Sequence, residues 1–412
     1  MKHYIIIIYT LVAVLTVTLS ACSDDDLSYT THSVGVTIVD STGTPIAQEG
    51  FAVSMTDSHG SVYRQTTNAN GTATFHLPDD IYQATASKSE VRDARSLVYN
   101  GVTSNIIVNS DVTAKINVSV TESGTIIIKE IYVGGCRRDD GSGSGTFQRD
   151  KYIILYNNCP QTVTLSNLCI GITTPFNAYG INNNYGTDGR LNYADADFIP
   201  AFSAIWYLPG GMTFAPYQQM VIALNGAVDH TATYSNSINF ADSSYYCTYD
   251  PLRYNSTMFY PSPSSLIPTS HYLRAVKFGD EGEDAWPLST SSPAIFVFSL
   301  DNETPEEFGA NADNIYYDGG VASVANTCKK VPRRCILDGV EVYSSTSTYN
   351  EKRLTPDIDA GYIMHTPRQG HALLRKTDTQ ATAPAGHTVY IDTNNSTNDF
   401  EQLDRASLAT KK

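Results

Sequence analysis

Charged side chains are scarce in this chain, and basic ones are scarcer than acidic ones. Only 17% of the 412 residues are charged, and 27 Lys and Arg residues against 42 Asp and Glu residues leave a formal net charge of −15. Proteins that bind nucleic acid need clustered Lys and Arg to neutralise phosphates. The charge balance therefore argues against a nucleic-acid partner, and it suits a protein that projects from an anionic cell surface.

Methionine is also scarce, with 6 residues, whereas tyrosine occurs 27 times. Thr, Ser, Asn and Gly fill most of the remainder, so strong helix formers are few. Aromatic and β-branched residues favour strands. The composition is typical of β-rich extracellular proteins.

No Cys-x-x-Cys motif is present, which leaves zinc-ribbon and thioredoxin-like chemistry without support. Six cysteines follow Cys22, at positions 136, 159, 169, 247, 328 and 335. An even number in an exported protein permits disulfides, and Cys328 with Cys335 forms the easiest local pair because the two are close in sequence. The alternative is that the six are buried thiols, since free cysteine is among the most buried residue types.

The N-terminus begins with a positive residue, Lys2, and an apolar run over residues 4–17. This run is shorter than the roughly 20 residues that a membrane span needs. It has the length of a secretory signal, and Leu19-Ser20-Ala21-Cys22 follows it. The pattern resembles a bacterial lipobox, which implies that residues 1–21 are a signal peptide and that Cys22 is acylated. The alternative is an ordinary signal peptide followed by a chance cysteine.

The residues after Cys22 are Ser23, Asp24, Asp25 and Asp26. They resemble the acidic tract of Bacteroidota lipoproteins that are exported to the outer face of the outer membrane. Residues 22–32 lack periodicity and are predicted to be a tether. The predicted location is therefore the outer membrane, with a lipid anchor and the protein facing outward. The alternative is that the tract is a plain solvated linker.

Residues 33–122 alternate short strand-like runs with turns, which predicts a β-sandwich. The stretch 67–75, TNANGTATF, and the later Asp80-Ile81-Tyr82 carry a specific resemblance. They are similar to a carboxypeptidase-regulatory-like or prealbumin-like domain, an immunoglobulin-like sandwich. The resemblance implies a spacer or adhesive module without catalysis.

Residues 123–412 begin with strand-like runs at 126–132, 150–158 and 163–170. These runs resemble the lamin-tail domain, an immunoglobulin-like β-sandwich, although Ile154 stands where that pattern usually carries an acid. Residues 171–205 and 229–285 are rich in Asn, Tyr, Ser and Pro and are predicted to be long loops. One short helix is predicted near residues 302–308, with Asn302 or Thr304 as cap and Pro305 at its first position.

Several separated motifs mark the C-terminal third: residues 336–343, 353–361, 374–376 and 391–400. Together with Pro209-Gly210-Gly211 they resemble the Bacteroidota surface-lipoprotein family of unknown function DUF4876, over roughly residues 126–400. The resemblance implies outer-membrane uptake loci with TonB-dependent receptors, and it implies no activity.

Catalytic motifs are weak. Gly141-Ser142-Gly143-Ser144-Gly145 satisfies G-x-S-x-G, but a nucleophile elbow needs a preceding strand and a following helix, and Arg-Arg-Asp-Asp precedes it here. Asp195 and Asp197 would point the same way if extended, and Asp357 with Asp359 repeats the pattern. Such pairs suit calcium or acid–base chemistry, or are solvated edges. No cofactor is predicted, calcium stays open, and the dispersed histidines leave a metal site undefined.

Tyrosines accumulate in the predicted loops, and Tyr185, Tyr193, Tyr245 and Tyr246 are the candidate ligand contacts. Tyrosine offers a large contact area at low entropic cost, which suits glycan or protein ligands. The alternative is ordinary loop packing.

The sequence thus predicts an all-β, non-enzymatic binding or accessory lipoprotein, with the membrane reached through its lipid and a TonB-dependent receptor or a glycan or protein ligand as partner. The alternatives are a structural or adhesive surface protein without a soluble ligand, and an extracellular hydrolase.

Overall fold

The computed structural model describes residues 30–92, 95–280 and 284–409. The predicted lipidation site Cys22 and the acidic tract lie outside the described residues. The chain forms two compact units, one from described residues up to 88 with Tyr99–Val120, the other from Ser89–Val98 and the residues after 120. Nearly all regular structure is β, which confirms the predicted all-β fold. Within the described residues, no helix has the length and apolar character needed to span a membrane.

The N-terminal seven strands form one sheet, in the order β3-β2-β5-β6-β7-β1-β4. The strands are β1 (Thr31–Val39), β2 (Ala52–Thr56), β3 (Val62–Thr66), β4 (Thr72–Pro78), β5 (Asp80–Arg92), β6 (Arg95–Val108) and β7 (Val112–Gly124). In β4, Ala73, Phe75 and Leu77 are buried while the residues between them are not, as period-2 alternation predicts. Gly71 precedes this strand with φ +73°, and a Cβ there would lie 1.9 Å from the Ile46 carbonyl oxygen.

The second unit is formed by a mixed twelve-stranded sheet, in the order β24-β23-β20-β13-β15-β19-β18-β17-β11-β8-β25-β26, and three smaller sheets, in the orders β10-β9, β12-β16 and β14-β22-β21. Its described strands are β8 (Ile126–Tyr132), β9 (Cys136–Arg137), β10 (Thr146–Phe147), β11 (Tyr152–Asn157), β12 (Val163–Leu165), β13 (Leu168–Ile172), β14 (Phe198–Phe202), β15 (Ala204–Tyr207), β16 (Met212–Phe214), β17 (Gln219–Ala223), β18 (Tyr246–Thr248), β19 (Tyr272–Lys277), β20 (Ala294–Ser299), β21 (Ile315–Tyr317), β22 (Thr327–Pro332), β23 (Ile336–Ser344), β24 (Ile363–His365), β25 (Ala372–Arg375) and β26 (Phe400–Leu403).

Strand β11 shows that the central part of this sheet is covered on both faces. Ile153 and Leu155 point into one apolar core, which also contains the buried Trp206. Tyr152 and Ile154 point into a second core on the opposite face. Ile154 is 1% exposed, so the apolar residue that replaces the lamin-tail acid is a core residue here.

The loops predicted at residues 171–205 and 229–285 include residues that form strands. The first range contains the end of β13, all of β14 and the start of β15, and the second contains all of β18 and β19. β14 pairs with β22, more than a hundred residues further along the chain. The long sequence separation explains the error, because no local turn marks such a pairing.

The predicted short helix is confirmed as Pro305–Ala310. Thr304 caps it, and its hydroxyl accepts from the backbone N–H of Glu307, while the Glu307 carboxylate accepts from the backbone N–H of Thr304. This reciprocal pairing is a capping box, and Pro305 occupies the first helical position. Two further helices, Thr379–Ala385 and Ser396–Asp399, and four short 3-10 turns complete the described elements.

All six described cysteines are buried thiols, so the predicted Cys328–Cys335 disulfide is not formed in this structure. Cys328 lies in β22 and packs into the core that contains Trp206. Cys335 lies in the turn after Pro332 and packs into a different core with Phe296. Proximity in sequence was misleading because the intervening turn directs the two side chains into separate cores.

Candidate functional site: an arginine-lined groove

The candidate ligand tyrosines do not form one surface. Tyr193 is fully buried, and its hydroxyl donates to the Arg353 carbonyl oxygen at 2.8 Å. Tyr185 is partly buried and donates to the Lys352 carbonyl oxygen at 3.1 Å. Hydrogen bonds to the backbone thus account for both hydroxyls, and the prediction that Tyr193 contacts a ligand is wrong because no part of its side chain is accessible.

Tyr245 and Tyr246 are partly buried around one histidine. The Tyr246 ring stacks on His271 with ring centroids 4.0 Å apart, and the Tyr245 carbonyl oxygen lies 3.0 Å from His271 Nδ1. Both tyrosines border the cores of the sheet rather than the segment that holds Tyr185. Both rings are partly open to solvent, so a ligand contact by these two tyrosines stays a prediction.

The two candidate acidic pairs, Asp195 with Asp197 and Asp357 with Asp359, lie in different environments. Asp195 and Asp197 lie in consecutive turns before β14 and are exposed, and Asp195 forms an ion pair with Arg190 at 2.7 Å. Asp357 is half-exposed and pairs with Arg333 at 2.9 Å, whereas Asp359 is fully buried. Asp357 and Asp359 therefore do not face one ligand together, and the Asp195 carboxylate is already paired with Arg190.

The glycine-rich segment that contains Ser142 is an exposed loop between β9 and β10. The Ser142 hydroxyl donates to Asp140 Oδ1 at 2.6 Å, which leaves it paired with an acid rather than a base. No helix follows it, so the nucleophile-elbow geometry is not met.

The distinctive C-terminal motifs meet around the buried guanidinium of Arg375. Its Nη2 lies 2.5 Å from Asp338 Oδ2, and its Nη1 lies 3.0 Å from Asp392 Oδ1 and 3.3 Å from Asp399 Oδ2. Asp338 also accepts the backbone N–H of Ile128 at 2.6 Å. Asp399 accepts from the backbone N–H and the hydroxyl of Thr393, which orders the polar turn before Phe400. These residues form a structural network beneath the surface.

A surface groove lies where two backbone segments of the second unit meet. Its lining includes Arg137, Arg138, Thr146, Arg368 and Gln369, and its volume is about 400 Å³. We call this cavity the arginine groove. Arg137 ends β9, Thr146 begins β10, and Arg368 and Gln369 lie in the turn between β24 and β25.

Two glycines allow that turn to approach β9. The backbone N–H of Arg368 donates to the Gly134 carbonyl oxygen at 3.1 Å, and that of Gly370 donates to the Gly135 carbonyl oxygen at 2.9 Å. A Cβ at Gly135, where φ is +72°, would lie 2.0 Å from the Phe147 carbonyl oxygen. A Cβ at Gly134 would lie 2.7 Å from His365 Cε1. Gly134 therefore allows the turn that carries Arg368 to approach, while Gly135 allows the end of β10 to approach the start of β9.

The three arginines of the groove differ in their hydrogen-bond and ion-pair partners. Arg137 Nε donates to Gln369 Oε1 at 2.9 Å, and Arg138 Nη2 donates to the Tyr234 hydroxyl at 3.0 Å. Arg138 is also 3.9 Å from Asp140, at the limit of an ion pair. Arg368 is exposed, and no described residue forms a side-chain hydrogen bond or ion pair with it. Its φ is +68°, a left-handed conformation that costs a non-glycine residue energy.

A second cavity of about 460 Å³ shares Arg368 and Gln369 with the arginine groove. Its other lining residues include Tyr179, Thr346 and Ser347. Tyr179 is 43% exposed, so part of its ring is open to solvent. The two cavities together offer cationic forks at one end and hydroxyls with an aromatic ring at the other.

A roomier cavity of about 700 Å³ lies elsewhere in the second unit, lined by Tyr207, Asp250, Arg274 and Glu306 among others. Some of its polar groups pair with one another. Arg274 lies 3.6 Å from Asp250, and the Tyr207 hydroxyl donates to Glu306. Arg253 and Lys277 also line this cavity, and no described carboxylate forms an ion pair with either.

One local feature of the sequence, a pair of adjacent glycines, indicates the arginine groove. Gly134-Gly135 stands two residues before Arg137-Arg138, and adjacent glycines after a buried strand indicate a close backbone approach. Arg368 carries no comparable signal, because its position follows only from the docking of the later turn.

Comparison with known proteins identifies one family. The family described as "Protein of unknown function (DUF4876)" matches residues 215–407. No curated protein is significantly similar to the chain. The match begins later than the resemblance expected from about residue 126.

Among solved structures, the crystal structure of a DUF4876 family protein from Bacteroides thetaiotaomicron is similar at TM-score 0.57 and 20% identity, covering 92% of this chain and 96% of that chain. A DUF3823 family protein from Parabacteroides merdae shares 10% identity at TM-score 0.16, over 46% of this chain and 98% of that chain. A streptococcal ancillary pilin shares 11% identity at TM-score 0.16, over 48% of this chain and 60% of that chain. Only the first likeness is strong enough to bear on the fold. The resemblance indicated by the C-terminal motifs is thus confirmed, since residues 215–407 match the DUF4876 family of proteins of unknown function and the fold is like that of a solved member.

Proposed function

We propose that this protein is a lipid-anchored, outward-facing component of an outer membrane that binds an acidic glycan and catalyses no reaction. The anchor rests on Leu19-Ser20-Ala21-Cys22, and the outward orientation rests on the acidic tract Asp24-Asp25-Asp26. The observation that carries the binding role is the arginine groove. Three arginines line it in a chain whose net charge is −15.

The groove suits a carboxylate or sulfate group. The planar guanidinium fork matches such groups with two parallel hydrogen bonds, which are stronger than neutral ones. Arg368 has no partner among the described side chains, so a ligand does not have to displace one. Arg137 is held by Gln369, which keeps its fork at the cavity.

The neighbouring cavity suits the rest of a sugar. Thr346 and Ser347 supply hydroxyls, and Tyr179 supplies an exposed aromatic face. An aromatic ring with a polar tip packs well against an amphipathic ligand. Volumes of about 400 and 460 Å³ lie within the usual range of small-ligand sites.

A TonB-dependent receptor is the proposed partner, because the family resemblance implies such uptake loci. In this arrangement the lipid holds the groove at the membrane that contains the receptor. The protein then raises the local concentration of the glycan beside the transporter.

The binding experiment uses the purified full-length protein and immobilised polygalacturonate, a polymer of acidic sugars, with neutral dextran as the reference polymer. Arg368→Gln and Arg137→Gln are each expected to weaken polygalacturonate binding by about tenfold or more, since a charge-assisted hydrogen bond contributes about 1.5–3 kcal/mol. Arg190→Gln is the matched control, because Arg190 is exposed and paired with Asp195 outside the groove.

Binding should also weaken as salt rises, because exposed charges are screened. Equal binding by the groove variants and by Arg190→Gln contradicts the assignment of the groove. Binding of neither polymer favours the structural or adhesive alternative. A hydrolase role would require activity that Ser142→Ala, Asp195→Asn or Asp197→Asn removes.

The location is tested separately on whole cells. Deletion of Asp24, Asp25 and Asp26 is expected to protect the protein from added protease, while Cys22→Ala is expected to release it from the membrane fraction. Unchanged protease access after the deletion would show that the tract does not direct export. Neither result affects the groove.

A further inference from the structure

Three potential metal ligands meet at one edge of the N-terminal unit. Asp57 and His59 lie in the turn between β2 and β3, and Asp80 begins β5. One ligand atom from each residue lies within 4.8 Å of the other two. Asp80 is 21 positions from His59 in sequence, and its strand β5 pairs with β2, so the convergence is a property of the fold rather than of one turn.

Backbone hydrogen bonds orient both carboxylates. Asp57 Oδ1 accepts from the backbone N–H groups of His59 at 2.9 Å and Ser61 at 2.8 Å. Asp80 Oδ1 accepts from the backbone N–H of Ile81 at 2.6 Å. The second oxygen of Asp80 then faces His59, with Oδ2 and Nδ1 3.2 Å apart.

The three groups offer the donor set that a cation needs. The hydrogen bonds described above all donate to the two carboxylates, and each carboxylate has two oxygens that can accept or coordinate. One imidazole lies beside them.

We infer that Asp57, His59 and Asp80 form a binding site for one divalent transition-metal ion of the zinc type. Imidazole is a ligand for zinc, copper and nickel, whereas calcium and magnesium prefer oxygen ligands alone. The His59 side chain is 83% exposed, so a small rotation can close the remaining distances to bonds of about 2.0–2.2 Å. Three protein ligands leave an open position for water or a further ligand.

A neighbouring pair in the same unit provides a matched control. His32 Nε2 lies 2.7 Å from Asp79 Oδ1, directly beside Asp80 in sequence. Among the described residues, this pair has no third ligand atom within the same reach. The control pair thus has the same ligand types as the proposed site but lacks the third ligand.

The experiment titrates the purified full-length protein with Zn²⁺ in competition with a chromophoric chelator. The wild-type protein is expected to bind one Zn²⁺ more tightly than His59→Ala and Asp80→Asn by about tenfold or more, since even loss of an outer partner of a metal ligand costs about that much. His32→Ala and Asp79→Asn are expected to bind as the wild-type protein does. Zn²⁺ should raise the melting temperature of the wild-type protein but not of His59→Ala.

Equal affinity in the wild-type protein and His59→Ala would overturn the site, as would a loss of affinity confined to the His32 and Asp79 variants. His59→Ala keeps the fold intact because its side chain is exposed, so loss of binding in this variant reports the ligand itself. The metal site and the arginine groove share no residue. Failure of one proposal leaves the other untouched.

Discussion

Arg353 and Glu341 form an ion pair from which solvent is fully excluded on both sides. Arg353 Nη2 and Nε lie 2.7 and 2.9 Å from Glu341 Oε1. Glu341 Oε2 accepts from the backbone N–H groups of Arg353 at 2.7 Å and Leu354 at 2.9 Å. The carboxylate, which lies in β23, thereby attaches the later segment to the large sheet. Arg353 Nη1 also donates to the Pro175 carbonyl oxygen at 2.8 Å.

Replacing one partner of this pair should strongly destabilise the protein. Arg353→Met leaves the Glu341 carboxylate buried without its counter-charge, and breaking such a pair costs about 3–5 kcal/mol. The free energy of unfolding in urea measures the effect. Arg190→Met removes an exposed pair with Asp195 and should cost less than about 1 kcal/mol. Equal losses in the two variants would contradict the structural role of Arg353.

Asp150 should make the protein less stable as pH rises through the mildly acidic range. Burial raises the pKa of Asp150 to about 6, although hydrogen bonds from Ser237 and Tyr132 act in the opposite direction. An unfolded aspartate has a pKa of about 3.9, so between these values the native state binds more protons. The free energy of unfolding therefore falls as pH rises through that window and is constant above it for this group.

Asp150→Asn is expected to remove this slope and to be more stable than the wild-type protein at neutral pH by about 1–3 kcal/mol. Urea unfolding at several values between about pH 4 and 7 measures the difference. Asp404→Asn serves as control, because Asp404 is exposed and its loss should leave the slope in place. A slope that persists in Asp150→Asn would show that another group causes it.

Arg368 should combine ligand binding with backbone strain. With φ at +68°, glycine at this position should give a protein about 1 kcal/mol more stable than alanine. Both variants should lose polygalacturonate binding to a similar extent, because both lack the guanidinium. At Arg137, which lies in β9, the alanine variant should be more stable than the glycine variant, since glycine weakens a strand. A less stable Arg368→Gly would contradict the strain.

All six described cysteines should resist a thiol reagent in the native protein. Each is at most 5% exposed, and desolvation raises the pKa of Cys136 to about 12 and of Cys335 to about 11, which suppresses the reactive thiolate. In a Cys22→Ser background, denaturant should make six thiols reactive without reductant. Four reactive thiols would indicate a disulfide and restore the Cys328–Cys335 pairing as a candidate.

Local patterns in the sequence predicted local structure well. The alternation of residues in β4 and the capping box at Thr304 both depend on neighbours within a few positions. The all-β fold and the DUF4876 resemblance also followed from the sequence. Lipidation of Cys22 and outward display stay predictions, because they concern residues outside the described structure.

The candidate binding residues were harder to predict. Tyr185 and Tyr193 lie in a segment whose composition is typical of ligand-binding loops. Their hydroxyls nevertheless donate to the backbone of residues 352 and 353, more than 150 positions away. The sequence cannot distinguish a tyrosine that meets a ligand from one that satisfies a distant carbonyl group. Exposure and hydrogen bonding made that distinction.

The sequence by itself determined three properties: the richness in strands, the position of one helix cap, and the family that the C-terminal half resembles. Each of these properties depends on residues that are close in sequence. The tertiary structure decided which charges are buried together and which face solvent. Asp338 accepts a hydrogen bond from Ile128 across 210 positions, and Arg368 lines the same groove as Arg137 because its backbone N–H donates to the Gly134 carbonyl oxygen. Such convergence depends on long-range pairing, and long-range pairing leaves no periodic signal in the chain.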